Sequence, residues 1–261
     1  MRETLEALAA GEISVTAAES RLAGYATGEA GRFDAAREQR RGVPEAVLAD
    51  GKTSAEVAEL VALAVETTGR GLATRVDPAT ADAVVDRLAD DRPDATVAFD
   101  ERTGVLRAHA AEYETPDLEA VVGVVTAGTA DTGPAGEAAA VVREMGATVE
   151  QVDDVGVAGL HRALDRLEDI RRTDVLVVAA GREGALPTVL AGLVDAPVIG
   201  LPVASGYGHG GDGEAALAGL LQSCTVLTVV NVDAGFVAGA QAGLIARAVD
   251  AARDREPQRD E

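Results

Sequence analysis

The sequence predicts an α/β protein: a three-layer, doubly wound parallel sheet over residues 116–255, preceded by a smaller α+β region over residues 1–115. Three observations carry that reading. Five short, continuous apolar runs rich in β-branched residues follow residue 116, the composition of strands covered on both faces. Helical stretches alternate with them, a connectivity that makes neighbouring strands parallel. The pattern changes at Glu112-Tyr-Glu-Thr-Pro-Asp117, a polar, proline-bearing segment that reads as a domain boundary.

Before that boundary, Arg2–Ala10 and Val15–Ala23 read as two short, loosely amphipathic helices separated by Gly11. A basic turn and an apolar stretch at Glu45–Leu48 lead into a helix starting near Thr53. Thr53 or Ser54, with Glu56 nearby, supplies its N-cap, and Gly69 stops it. A strand at Leu72–Val76, a helix opened by Pro78 and running to about Ala89, and strands at Thr96–Phe99 and Gly104–Ala108 complete the region. After the boundary the strands are Ala120–Thr126, Thr148–Val152, Val175–Ala180, Val198–Leu201 and Val226–Val230. The helices are Pro134–Met145, Ala158–Ile170, Leu186–Leu193, Glu214–Gln222 and Gly235–Ala252.

Composition narrows the function classes. The chain has 261 residues, with 23 basic against 44 acidic side chains and a net charge of −21. Nucleic-acid phosphate and anionic lipid both demand a cationic face, so neither is an expected partner. No apolar run reaches the length of a membrane span, and the N-terminus lacks a basic-then-apolar signal pattern, so a cytoplasmic protein is expected. One cysteine excludes an intrachain disulfide framework and a cysteine-rich zinc site. The acidic excess, with Lys52 as the one lysine, fits a cytosol of high salt, where a short Debye length screens self-repulsion. The expected outcome is a lower melting temperature in dilute buffer than in molar KCl.

In such a sheet, ligands bind beyond the carboxyl ends of the strands. Three loops there stand out. Ala127-Gly-Thr-Ala-Asp-Thr-Gly-Pro134 is a glycine-rich turn into a helix, either purely structural or an anion site to which Thr129 or Thr132 adds a hydroxyl. Gly181-Arg-Glu-Gly-Ala-Leu-Pro187 places Glu183 between glycines, as a solvent-facing helix-start glutamate or a general base. Pro202–Gly213 holds five glycines and no apolar run, a mobile loop over a ligand, with Tyr207 placed to stack on a ring. His209 in that loop has metal or acid–base potential. Cys224 reads as a small packing residue between a helix and a buried strand; as a nucleophile it needs a lowered thiol pKa or a nearby base. It also lies before a strand, away from the ligand edge of its own subunit. His161 reads as a packing residue at the start of a helix.

Taken together, the segments AGTAD, GVAGLHR, GREGALPTVLAGLVDAPVIGLPV, SGYGHGG, LLQSC and VVNVDAGFVAG resemble the LarB family, as does REQRRGVPEAVLADGKTSAEV in the first region. LarB is the pyridinium-3,5-biscarboxylic acid mononucleotide synthase of nickel-pincer cofactor biosynthesis. Its core is similar to aminoimidazole ribonucleotide carboxylase, a purine enzyme of flavodoxin-like fold. The purine carboxylase carries its catalytic histidine in a turn where this chain has Ala185, and its first loop is longer than AGTAD. The LarB turn has a glutamate, matched by Glu183, and LarB has a cysteine before the last strand, matched by Cys224.

The resemblance implies a catalytic pair, Cys224 and Glu183, acting on nicotinic acid adenine dinucleotide with carbon dioxide or bicarbonate as co-substrate. It implies that Thr129 and Asp131 line the mononucleotide and carboxylate site, that Gly181 and Gly184 frame the glutamate turn, and that Tyr207 with Gly206 and Gly208 covers the ring or ribose. Asn231, Asp233 and His161 are implied as polar groups of the site. No organic cofactor is implied; Mg2+ suits the anhydride hydrolysis, although no acidic cluster marks its ligands. A homo-oligomer built from dimers, up to an octamer, would carry Cys224 into a neighbour's site. His209 and Asp212 depart from the bulkier or more neutral residues expected in their loop. Arg40, Arg41 and Lys52 are candidates for AMP phosphate. Two readings compete: a purine-pathway carboxylase, and a non-catalytic nucleotide-binding module with Cys224 buried and inert.

Overall fold

The computed structural model describes residues 1–255, which pack as two units dividing after Glu114.

The first unit opens with α1 (Arg2–Ala9) and α2 (Val15–Ala23), the latter capped by the Ser14 hydroxyl accepting from the Ala17 amide. A small hairpin of β1 (Ala26–Thr27) and β2 (Arg32–Phe33) follows. The expected basic turn is a short helix, α3 (Arg37–Arg41), and the apolar stretch after it is strand β3 (Val47–Leu48). In α4 (Ser54–Thr68) the cap is Thr53: its side chain accepts from the Glu56 amide, and the Glu56 carboxylate accepts from the Thr53 amide at 2.7 Å. Gly69 ends α4 at φ +79°, a conformation that disfavours a Cβ. Next come β4 (Arg70–Thr74), α5 (Pro78–Asp91), β5 (Thr96–Asp100) and β6 (Val105–His109). The sheet order is β3-β4-β6-β5, parallel only at β3/β4. Val57, Val61, Val84, Leu88 and Leu106 form its buried core.

The second unit contains β7 (Leu118–Thr126), α6 (Thr132–Glu144), β8 (Ala147–Val152), α7 (Leu160–Asp165), α8 (Leu167–Arg171) and β9 (Val175–Ala180). It continues through α9 (Ala185–Ala191), β10 (Val198–Pro202), α10 (Glu214–Leu221), β11 (Thr228–Val229) and α11 (Gly235–Arg253). All strand pairs are parallel and the order is β11-β10-β9-β7-β8. Counted from β7 this is 2-1-3-4-5, the flavodoxin-like order.

The three layers follow from the pleat. On β9, Val175, Val177 and Ala179 join a cluster with Ala135, Ala138, Ala238 and Ala242 of α6 and α11. Leu176, Val178 and Ala180 join the opposite cluster with Ala163, Ile170, Leu186 and Leu190. Alanine and glycine let the first layer approach closely: a Cβ on Gly239 would lie 2.4 Å from the Ala138 carbonyl oxygen.

Two expected elements are shorter than read. The helix over 158–170 breaks at Arg166, which leaves helical geometry (φ −104°, ψ 6°) while its guanidinium bonds Asp169. The last strand pairs β10 only through Thr228 and Val229, and Val226 stands 96% exposed. Among the described residues no helix is long and apolar enough to cross a membrane.

Candidate active site

The chain leaves β7 for β8 on one side and returns to β9 on the other, so the loops after β7 and β9 diverge at the switch point of the sheet. The first of these loops turns back on itself at Asp131. The Gly128 amide donates to Asp131 Oδ2 at 2.8 Å, and the Asp131 amide donates to the Gly128 carbonyl at 3.1 Å. Asp131 is 3% exposed, and the Ser205 hydroxyl donates to its Oδ1 at 2.7 Å. Burial pushes the carboxyl above the ordinary carboxylate value, and the Asp233 charge adds to the shift. Hydrogen bonds from Ser205, Gly128 and Gly181 oppose it. Thr129 is exposed on the rim, its carbonyl accepting from the Thr132 hydroxyl at 2.9 Å.

The turn after β9 is held by its glycines. A Cβ on buried Gly181 would lie 2.0 Å from Ser205 Oγ, and one on Gly184, at φ +65°, would lie 2.7 Å from the Ala216 carbonyl oxygen. Arg182 sits at φ +52° and Glu183 is exposed. The Arg182 guanidinium carbon lies 4.0 Å from the Tyr207 ring centroid, and its Nη2 donates to the Tyr207 hydroxyl at 3.1 Å. Tyr207 is 77% exposed, between half-buried Gly206 and exposed Gly208 at φ +82°.

Two neighbouring residues at the root of the loop after β10 are pinned by carboxylates from either side. Ser205 bonds Asp131, and the Ala204 amide donates to Asp233 Oδ1 at 3.0 Å. Asp233 in turn donates its amide to the Pro202 carbonyl at 2.9 Å. Exposed Asn231 caps its own neighbour, accepting from the Val232 amide at 2.9 Å. Of the five non-glycine residues at positive φ among those described, Asp154, Arg182, Asp212 and Asp233 stand in loops at the carboxyl ends of the strands. Backbone of this kind concentrates where surrounding contacts over-determine it.

Other predicted residues lie elsewhere. Cys224 sits between α10 and β11, at the amino-terminal edge of the sheet, so one chain does not bring it to Glu183. It is exposed, which overturns the packing reading: the strand that was to bury it begins four residues later. Beside it, Ser223 shares hydroxyl hydrogen bonds with Thr188 at 2.9 Å and Thr225 at 2.8 Å. His161 is likewise exposed rather than packed, because the short α7 buries only Ala163. His209 and Asp212 are exposed in the loop after β10. In the first unit Arg40 pairs with Asp34 at 2.6 Å, Lys52 donates to the Leu48 carbonyl at 2.6 Å, and Arg41 is exposed. That unit also holds a groove of about 1150 Å3, lined in part by Glu12, Ser20, Glu66 and Arg92. It contains none of the predicted site residues. Among the described residues no three His, Cys, Asp or Glu side chains cluster as a metal site.

Two family matches cover most of the chain. The model of the LarB/PurE-like N-terminal domain matches residues 25–108, and that of AIR carboxylase matches residues 121–260. The chain belongs to the LarB family, with an AIR carboxylase-like core. An uncharacterized protein of Methanocaldococcus jannaschii is 36% identical over 224 residues, covering 83% of this chain and 84% of that one. In this LarB-family chain the glutamate turn, the buried aspartate and the tyrosine loop converge on one edge of a carboxylase-type sheet. Sequence reasoning missed Ser205 as the donor to Asp131 and Arg182 as the partner of Tyr207. The readable signal for the first was that a buried carboxylate needs donors; for the second there was only adjacency to Glu183.

Proposed function

We propose that the protein carboxylates the pyridinium ring of nicotinic acid adenine dinucleotide and hydrolyses its phosphoanhydride, releasing pyridinium-3,5-biscarboxylic acid mononucleotide and AMP. The observation that carries this reading is the turn after β9. It presents exposed Glu183, with Ala185 where the purine carboxylase has its histidine, at the switch-point edge of a carboxylase-family sheet. The pyridinium ring is too electron-poor to attack carbon dioxide. Addition of the Cys224 thiolate at the carbon para to nitrogen moves an electron pair onto the ring and makes an enamine. Its free meta carbon forms the new bond to carbon dioxide, Glu183 takes the proton from that carbon, and expulsion of the thiolate restores aromaticity. Water then cleaves the phosphoanhydride. No organic cofactor enters this scheme.

The reading requires a homo-oligomer, because Cys224 and Glu183 lie at opposite edges of one sheet. Exposed Leu221 and Val226 flank Cys224, and they support a second copy covering this edge. The test incubates the protein in molar salt with nicotinic acid adenine dinucleotide and labelled bicarbonate. Label entering the mononucleotide in wild type but not in Cys224→Ala supports the reading, and equal incorporation by the variant removes the nucleophile. A second reading, carboxylation of aminoimidazole ribonucleotide, draws on the AIR carboxylase match, and Ala185 opposes it. Label entering that substrate instead would establish it.

A further inference from the structure

We infer that the Arg182 guanidinium holds, on the face of Tyr207, the place of the substrate's cationic ring, and that on binding it exchanges that face for the substrate's anionic groups. The inference rests on the functional reading above and adds a specificity-determining residue to it.

The starting point is an arginine in unusual company. The chain carries 44 acidic side chains, and most of the arginine contacts in the structure are ion pairs with them. Arg182 has no carboxylate partner among the described residues. Its charge is met by an aromatic face 4.0 Å away and by the Tyr207 hydroxyl at 3.1 Å. Its backbone is held at φ +52° next to Gly181, which the Ser205–Asp131 bond packs against. Ser205 belongs to the same loop as Tyr207 and Gly181 to the same turn as Arg182, and Asp131 accepts from both the Ser205 hydroxyl and the Gly181 amide, so one carboxylate ties together the segments that carry the pair. Both side chains are exposed, so a ligand can reach them without any buried group moving.

Two planar cations cannot share one ring face. A pyridinium is a planar cation like guanidinium, so it can replace Arg182 on Tyr207 with the cation–π contact conserved. The displaced guanidinium keeps its charge and presents a planar fork of donors, the geometry that suits carboxylate or phosphate. A neutral ring would displace a cation and give less back. The pair therefore selects a substrate that is cationic at the ring and anionic beside it.

The experiment uses the full-length protein and two probes, nicotinic acid mononucleotide, which has ring charge and anions, and N-methylnicotinamide, which has ring charge alone. Binding is followed by calorimetry for the first and by NMR line broadening for the second. Adding Tyr207→Leu to Arg182→Met is expected to weaken N-methylnicotinamide by about three- to ten-fold relative to Arg182→Met alone, the range of an exposed to partly desolvated cation–π contact, whereas Tyr207→Leu by itself also removes the Arg182 contact from the free protein and shifts binding less. Tyr207→Phe should leave both probes within about two-fold, since the ring face is kept. Arg182→Met should weaken the mononucleotide and tighten N-methylnicotinamide, opposite signs that general damage to the loop would not produce. Binding of the mononucleotide to wild type with no further loss for N-methylnicotinamide when Tyr207→Leu is added to Arg182→Met, or same-direction shifts of the two probes in Arg182→Met, overturns this inference and leaves the functional reading intact. Failure of wild type to bind nicotinic acid adenine dinucleotide, titrated alongside, overturns both.

Discussion

The two edges of the five-stranded sheet are built to different standards of completion. At the carboxyl edge Asp131 is 3% exposed with both oxygens accepting hydrogen bonds, and Asp233 is tied into the neighbouring loop. Gly181 and Gly184 leave no room there for a side chain. At the amino edge, around Cys224, Val226 is 96% exposed and Leu221 64% exposed. One edge has its polar groups satisfied and its backbone over-determined. The other leaves apolar surface in water, next to the chain's one thiol. A site whose framework stands on one edge and whose proposed nucleophile stands on the other needs two copies, and the unfinished edge is where a second copy would gain buried area.

A complementation assay probes both edges at once. Cys224→Ala and Glu183→Gln are each expected to lose at least about 10²- to 10³-fold in carboxylation, because each removes a group that the chemistry uses directly. If sites are shared between copies, unfolding and co-refolding the two variants should restore about one quarter of wild-type activity in randomly mixed dimers, where one site in each mixed pair is intact. Sites complete within one chain would give no recovery. A smaller effect probes the carboxyl edge alone. The Cβ of Gly181→Ala would meet Ser205 Oγ and force it off Asp131, leaving a buried oxygen with one donor fewer. A loss of about 1–3 kcal/mol in urea melts is expected. Adding Ser205→Ala should recover part of it, because the clash disappears with the hydroxyl, so the two substitutions should be strongly non-additive.

Much of the framework was legible because it rests on local pattern. β9 is apolar on both faces and its bounds coincide with the apolar run Val175–Ala180. The Thr53–Glu56 cap and the Gly69 stop of α4 are short-range chemistry readable from residue order. What failed depended on distant partners. Val226 has strand composition but no neighbour to pair with, because the register with β10 begins at Thr228. The helix over 158–170 has no glycine or proline beyond Gly159, where α7 is capped, yet it divides at Arg166. In the site, the glycine-flanked turn left Glu183 open between a helix-start glutamate and a general base, and only family resemblance gave Glu183 and Asp131 their roles. Ser205–Asp131 and Arg182–Tyr207 join residues 74 and 25 positions apart, and no local periodicity encodes such pairs.

The finest test concerns the charge state of the finished edge. Burial raises the Asp131 carboxyl above its ordinary value, so the folded protein holds that proton at a pH where the unfolded chain has released it. Between the unfolded and folded pKa the native state therefore binds more protons, and this group's contribution to stability falls as pH rises through that window. The unfavourable contribution is complete above the folded pKa and is relieved below the unfolded one. Asp131→Asn cannot titrate. It retains one oxygen to accept from Gly128 or Ser205 and loses the other acceptor, a cost with no pH dependence. Subtracting the two stability curves between pH 7 and 3 thus isolates the aspartate. The variant should lose ground to wild type as pH falls. A flat difference would mean that Asp131 ionises as it does in the unfolded chain, and the carboxyl edge would then owe its order to hydrogen bonds alone.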